Sequence, residues 1–282
     1  MPSSDGGGQR FGTRLAAAMA ARGQLCVGID PHPALLAAWG LDDSVQGLRS
    51  FSHTVLEAVA PLAAAVKPQV ALYERHGSAG LAVLEEILAA CAQAEVLSIA
   101  DAKRGDIGST MAAYADAWLR DGSALAADAV TLSPYLGFES LRPALDLAAR
   151  NGRGVFVLAL TSNPEGASVQ HVGGSDSVAK RIVAAAGVEN QPHAQDALGS
   201  VGLVVGATVG AALEQLGIDL RSVHGPLLAP GLGAQGATGA DLRRSFGAAH
   251  PAVLATSSRG ILAAGPTVAA LRAATVETLR EL

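Results

Sequence analysis

The chain has 282 residues, of which 50% are hydrophobic and only 16% charged, with 33 glycines and two cysteines. That is enough length and apolar content for an extensive core. The formal net charge of -5, with no run of lysine or arginine, argues against a nucleic-acid partner, because phosphates in series need cations in series.

In chain order, residues 1–8 are polar and glycine-rich and lack the apolar core of a secretion signal, so they read as a disordered tail. A first helix is expected around Gln9–Ala21. Short β-leaning apolar runs then recur at Leu25–Ile29, Ala64–Val70, Val96–Ala100, Ala129–Leu132, Gly154–Leu160, Gly202–Gly206, Pro226–Ala229 and Ala252–Ala255. Helical patterns separate them, among them Ser50–Ala63, Gly80–Gln93, Met111–Asp121, Leu141–Ala149 and Val178–Ala186. Continuous apolar runs fit parallel strands covered on both faces, and strict alternation with helices predicts an α/β architecture. Eight such units in about 250 residues predict a closed (β/α)8 TIM barrel, a single domain over residues 1–282. The alternative, an open doubly wound sheet, would carry a glycine fingerprint after its first strand, which Gly28-Ile29-Asp30-Pro31 is not. Asn163–Gly199 is long for a strand-to-helix connection and could hold a lid. No apolar stretch is long enough to span a bilayer, and Cys26 and Cys91 lack CxxC spacing; two free thiols and no membrane segment predict a cytoplasmic protein.

The ionisable residues collect where these strands end. Asp30 follows the first, Lys67 lies in the second, and Asp101-Ala102-Lys103-Arg104-Gly105-Asp106 follows the third. In a barrel of this kind, chemistry sits at that end. Asp101 and Lys103 are two apart and would face the same side of extended backbone. Lys103 between carboxylates is expected to stay protonated, as a proton donor or cationic stabiliser rather than a Schiff-base nucleophile. The plainer reading is an ion-pair network closing the barrel, which Lys67 makes larger than packing requires. A second signal is Pro230-Gly231-Leu232-Gly233-Ala234-Gln235-Gly236 after the seventh strand, with Arg259-Gly260 after the eighth. Glycine-rich backbone lets amides approach an anion and arginine adds a bidentate fork; ordinary tight turns are the plainer reading. Together these point to an enzyme acting on a small phosphorylated compound. The seven histidines are scattered without metal-ligand spacing, and His32 near the presumed mouth reads as a surface residue. Neither a metal nor an organic cofactor is expected.

Val27-Gly28-Ile29-Asp30-Pro31, Val66-Lys67-Pro68-Gln69, Asp101 through Thr110, Pro230 through Gly236 and Ser258-Arg259-Gly260 together resemble the orotidine 5′-phosphate decarboxylase family, most of all its longer bacterial branch. The resemblance implies cofactor-free decarboxylation of orotidine 5′-monophosphate in pyrimidine biosynthesis. Lys67, Asp101, Lys103 and Asp106 would be the catalytic tetrad. It also implies a homodimer with shared active sites, in which Asp106, Ile107 and Thr110 reach the partner's site. Asp30 and Lys67 would hold ribose hydroxyls, and Ser162 the pyrimidine. Gln235 and Arg259 would grip the phosphate, with Gln235 bridging towards the base, and Pro230 and Gly233 would be further substrate-binding residues. Related barrels that make or break sugar phosphates with magnesium share the Asp-x-Lys-x-x-Asp element and are the nearest alternative. A barrel without activity that only binds phosphorylated ligands is the second.

Overall fold

The apolar run Leu25–Ile29 is a strand with every residue buried, paired in parallel on both sides. In the computed structural model, which describes residues 9–233 and 236–282, eight such strands close into a barrel in chain order. They are β1 Leu25–Ile29, β2 Ala65–Pro68, β3 Leu97–Arg104, β4 Ala129–Leu132, β5 Gly154–Leu160, β6 Val201–Val205, β7 Leu227–Pro230 and β8 Val253–Ser257. Pairing of Leu25 with Ala255 and Val27 with Ser257 shuts the ring and excludes the open sheet. The predicted (β/α)8 barrel is the fold.

Alternate residues serve two cores. Leu25, Val27 and Ile29 pack outward under the helices, whereas Cys26 points inward with Ala65, Ile99, Ala129, Phe156, Val204, Leu228 and Leu254. The helix Phe11–Arg22 stoppers the end where the strands begin. Its Phe11, Leu15 and Met19 join the inward set, with the Phe11 ring edge-on to Phe156 at 5.9 Å. A Cβ on Gly154 would come within 2.2 Å of the Phe11 ring, so this seat requires glycine. Arg14 pairs with Asp128 at 2.5 Å, and Asp128 also accepts the Ser98 amide, tying the stopper to β3. One end is thereby closed and apolar, which leaves the other for chemistry.

Most boundaries lie within a few residues of expectation, and the differences at the second and third strands bear on the site. The second strand stops at Pro68, and a helix, Val70–Glu74, begins where Val70 was expected to finish it. The third strand does not stop at Ala100 but continues through the charges to Arg104, because those charges find partners on β2 and β4. The long connection Asn163–Gly199 is built of short turns at Pro164–Gly166 and Gly174–Asp176, followed by the helix Val178–Asn190. The expected tail, residues 1–8, lies outside the described residues. Cys26 and Cys91 are both free and buried. Among the described residues, no helix is long and apolar enough to cross a membrane.

Candidate active site

Asp101 is the centre of the charge array. Its Oδ2 accepts from Lys67 Nζ at 2.8 Å and from Gln69 Nε2 at 3.1 Å. Its Oδ1 accepts from Lys103 Nζ at 2.6 Å and from Thr131 Oγ1 at 2.9 Å. Asp101 and Lys67 are both buried, at 8% and 6% exposure, whereas the Lys103 side chain is half-exposed toward the cavity. Burial alone would raise the Asp101 carboxyl, but Lys67 and Lys103 more than offset it and hold it well below the usual carboxylate range. Burial likewise opposes the Lys67 charge, and Asp101 and Asp30 outweigh it, holding Lys67 above the ordinary lysine range. One layer lower, burial pushes the Cys26 thiol up to about 12, so it stays neutral and is no nucleophile.

The expected extended alternation is not how Lys103 reaches Asp101. Pairing runs from Ala100 opposite Val130 straight to Arg104 opposite Leu132, so Asp101, Ala102 and Lys103 together face the single residue Thr131. This is a bulge, and Lys103 takes a left-handed φ of 48° within it. A side chain other than glycine held there costs on the order of 1–3 kcal/mol, a cost typical of functional sites. The bulge turns the ammonium back onto the carboxylate two residues earlier.

The opposite wall belongs to β1, β7 and β8. Ser258 Oγ donates to Asp30 Oδ2 at 2.5 Å. A Cβ on Gly28 would lie 2.8 Å from Ser258 Cβ and 3.1 Å from Asp30 Oδ1, so glycine there allows this pair to form. Asp30 Oδ1 and Thr256 Oγ1 are the buried side-chain polar atoms without a partner among the described residues, and both residues line the same cavity. Buried polar atoms are rarely left unpaired, so they mark where a polar ligand would bond. The loop after β7 is folded tightly, with Gly231 at φ 124° and Gly233 at φ 73°, and the Gly233 amide donates to Ala237 O at 2.9 Å. Arg259 is exposed at the rim and forms no ion pair among the described residues.

Six of the predicted residues, Asp30, Lys67, Asp101, Lys103, Pro230 and Arg259, therefore line one cavity of about 460 Å³ at the end of the strands. Asp106, Ile107, Thr110, Ser162 and Gly233 do not line it within this chain. Asp106 Oδ1 accepts the Ile107 amide at 2.8 Å, while Ile107 itself is 61% exposed. Ser162 lies exposed against Gly206, and its neighbour Thr161 faces the cavity. Gln235 lies outside the described residues. His32 is exposed, as expected, but at the cavity rim. Sequence reasoning missed Gln69, Thr131 and Thr256 as site residues. Gln69 stands in the quoted motif Val66-Lys67-Pro68-Gln69 and Thr256 directly follows the expected strand Ala252–Ala255; a lone threonine inside an apolar run, such as Thr131, sends no signal until its partners are known.

The family profile described as "Orotidine 5'-phosphate decarboxylase / HUMPS family" matches residues 23–274. The chain belongs to this family. It is 57% identical over 275 residues to orotidine 5′-phosphate decarboxylase of Salinispora arenicola, covering 97% of each chain. It is 56% identical over 266 residues to that of Streptomyces coelicolor, covering 94% of each. A crystal structure of a proposed orotidine 5′-phosphate decarboxylase from Streptomyces avermitilis superposes with a TM-score of 0.93 at 53% identity, covering 100% of this chain and 97% of that one. The OMP decarboxylase of Leishmania donovani superposes with a TM-score of 0.77 at 31% identity, covering 97% of each chain.

Proposed function

We propose that the cavity takes orotidine 5′-monophosphate and that the lysine–aspartate array releases CO2 from it, leaving uridine 5′-monophosphate, the carboxy-lyase step of pyrimidine biosynthesis. The observation that carries this reading is an ionised, buried Asp101 clamped between two ammonium groups, with the half-exposed Lys103 facing the cavity. The bond from C6 to the carboxylate breaks, its electron pair stays on C6, and CO2 leaves. Lys103 Nζ stabilises that pair and then delivers its proton to C6. A cation about 4 Å from the carbanion contributes on the order of 4 kcal/mol at an effective dielectric near 20, roughly a thousandfold in rate. Asp30 and Lys67 would hold ribose hydroxyls, Ser162 the pyrimidine, and Gln235 with Arg259 the phosphate, beside Pro230 and Gly233.

A homodimer completes this reading. Ile107, Tyr135 and Leu136 are 61%, 80% and 54% exposed on the adjoining loops after β3 and β4. Apolar side chains gathered on neighbouring loops suit a second copy of the chain. Asp106, which makes no ion pair among the described residues, would then reach the partner's Lys103 with Ile107 and Thr110. A cytoplasmic location goes with both thiols being free.

Both Asp101 oxygens already accept from a lysine, which favours this chemistry over a magnesium-dependent sugar-phosphate lyase, whose metal would need those lone pairs. The purified protein is expected to release CO2 from orotidine 5′-monophosphate in EDTA. Metal-dependent turnover of a ketose phosphate instead would overturn the proposal. Arg259→Ala is expected to weaken uridine 5′-monophosphate binding about 10- to 100-fold through loss of charge-assisted hydrogen bonds. Thermal unfolding should not move, because the side chain is exposed. Unchanged nucleotide affinity in a titration would remove Arg259 from the site.

A further inference from the structure

The Thr131 hydroxyl joins the two halves of the charge array. It is fully buried on β4, it donates to Asp101 Oδ1 at 2.9 Å, and it accepts the backbone N–H of Lys103 at 2.9 Å. A hydroxyl has one proton. Because the Lys103 amide can only donate, and the ionised Asp101 can only accept, that proton is committed to the carboxylate. The bulge explains why a side chain is needed here. Three residues of β3 face Thr131 alone, so the Lys103 amide has left the strand ladder and takes the hydroxyl in place of a carbonyl. The same oxygen thus holds the left-handed backbone of Lys103 and the carboxylate that orients its ammonium.

We propose that Thr131 is a positioning residue for the proton-donating lysine, acting through the Lys103 amide and the Asp101 carboxylate without touching substrate. Valine has nearly the same shape and would fill the same space, but it leaves the amide unpaired and Asp101 one donor short. The bulge is then free to relax and Lys103 to swing out of line. Small displacements of a catalytic group are costly to turnover. Nucleotide binding is spared, because Asp30 and Arg259 sit on the opposite wall.

The test rests on the decarboxylase reading, and wild-type release of CO2 from orotidine 5′-monophosphate is measured first; its failure would strike that reading. With an active wild type, Thr131→Val is expected to lose about 10- to 100-fold in kcat, the scale of a hydrogen bond to a charged group. KM and the affinity for uridine 5′-monophosphate should stay within about threefold, since Asp30 and Arg259 do not touch Thr131 and Lys67 keeps its bond to the other Asp101 oxygen, Oδ2. Thr131→Ser, which keeps the hydroxyl and loses the methyl, should recover kcat to within about threefold of wild type. If Thr131→Val does not fold, Thr131→Cys, with a weak donor and acceptor of similar volume, carries the same expected loss. Wild-type kcat in the valine variant would overturn the proposal. So would a serine variant as slow as the valine one, which would make Thr131 a packing residue.

Discussion

Lys103→Ala is expected to reduce turnover of orotidine 5′-monophosphate by at least about 10⁴-fold, by removing together the cation nearest C6 and the proton that ends the reaction. The fold should survive. The Lys103 side chain is half-exposed, and its backbone amide bond to Thr131 does not depend on the ammonium. Far-UV circular dichroism and a CO2-release assay on one preparation would separate the two effects. Turnover within tenfold of wild type would take the proton-donor role from Lys103; a binding-only barrel has no turnover to lose, so the expected loss is what it cannot explain. The same variant tests the shared site. Mixed in equal amounts with Asp106→Asn and allowed to exchange subunits, half the dimers would be hybrids, each with one intact site. Activity should then return to about a quarter of wild type, as a two-fold-symmetric dimer requires. No recovery after demonstrated exchange would place Asp106 in its own subunit's site.

Asp101→Asn is expected to destabilise the protein by about 3 kcal/mol at pH 7, because it strands the buried Lys67 ammonium without its anion. The half-exposed Lys103 contributes less, since water screens it. The pH dependence identifies the source. The Asp101 carboxyl is depressed in the folded state, so its contribution is present above the unfolded value of about 3.9 and is lost as pH falls through the lower folded value. Lys67 is raised, so its contribution is complete below the unfolded lysine value near 10.4 and is lost as pH rises through the higher folded value. The gap between wild type and Asp101→Asn in urea unfolding should therefore be widest near neutrality and shrink as pH drops below about 4. A gap of the same size at pH 7 and in acid would mean that shape rather than charge holds Asp101 in place.

The eight strands were legible because burial on both faces leaves a continuous apolar run, and three of them, Leu25–Ile29, Ala129–Leu132 and Gly154–Leu160, have the expected ends. The third did not, because a hydropathy pattern stops where charge begins. Nothing in the run Val96–Ala100 says that Lys67 and Thr131 wait on the neighbouring strands to accommodate Asp101. The charged residues themselves were legible as a group, since Asp30, Lys67, Asp101 and Lys103 all fall in or just after the last residues of an apolar run, where a barrel gathers them.

Residue type and order by themselves determined the alternation, the closed barrel and the set of charges at its mouth. These follow from period and position along the chain. Tertiary structure alone decided the pairing. Register between β3 and β4 sets three residues against one, and that mismatch turns Lys103 left-handed onto Asp101. Close approach at Gly28 brings Ser258 onto Asp30. Both depend on strands distant in sequence meeting at a particular height, which no local pattern of residues can encode.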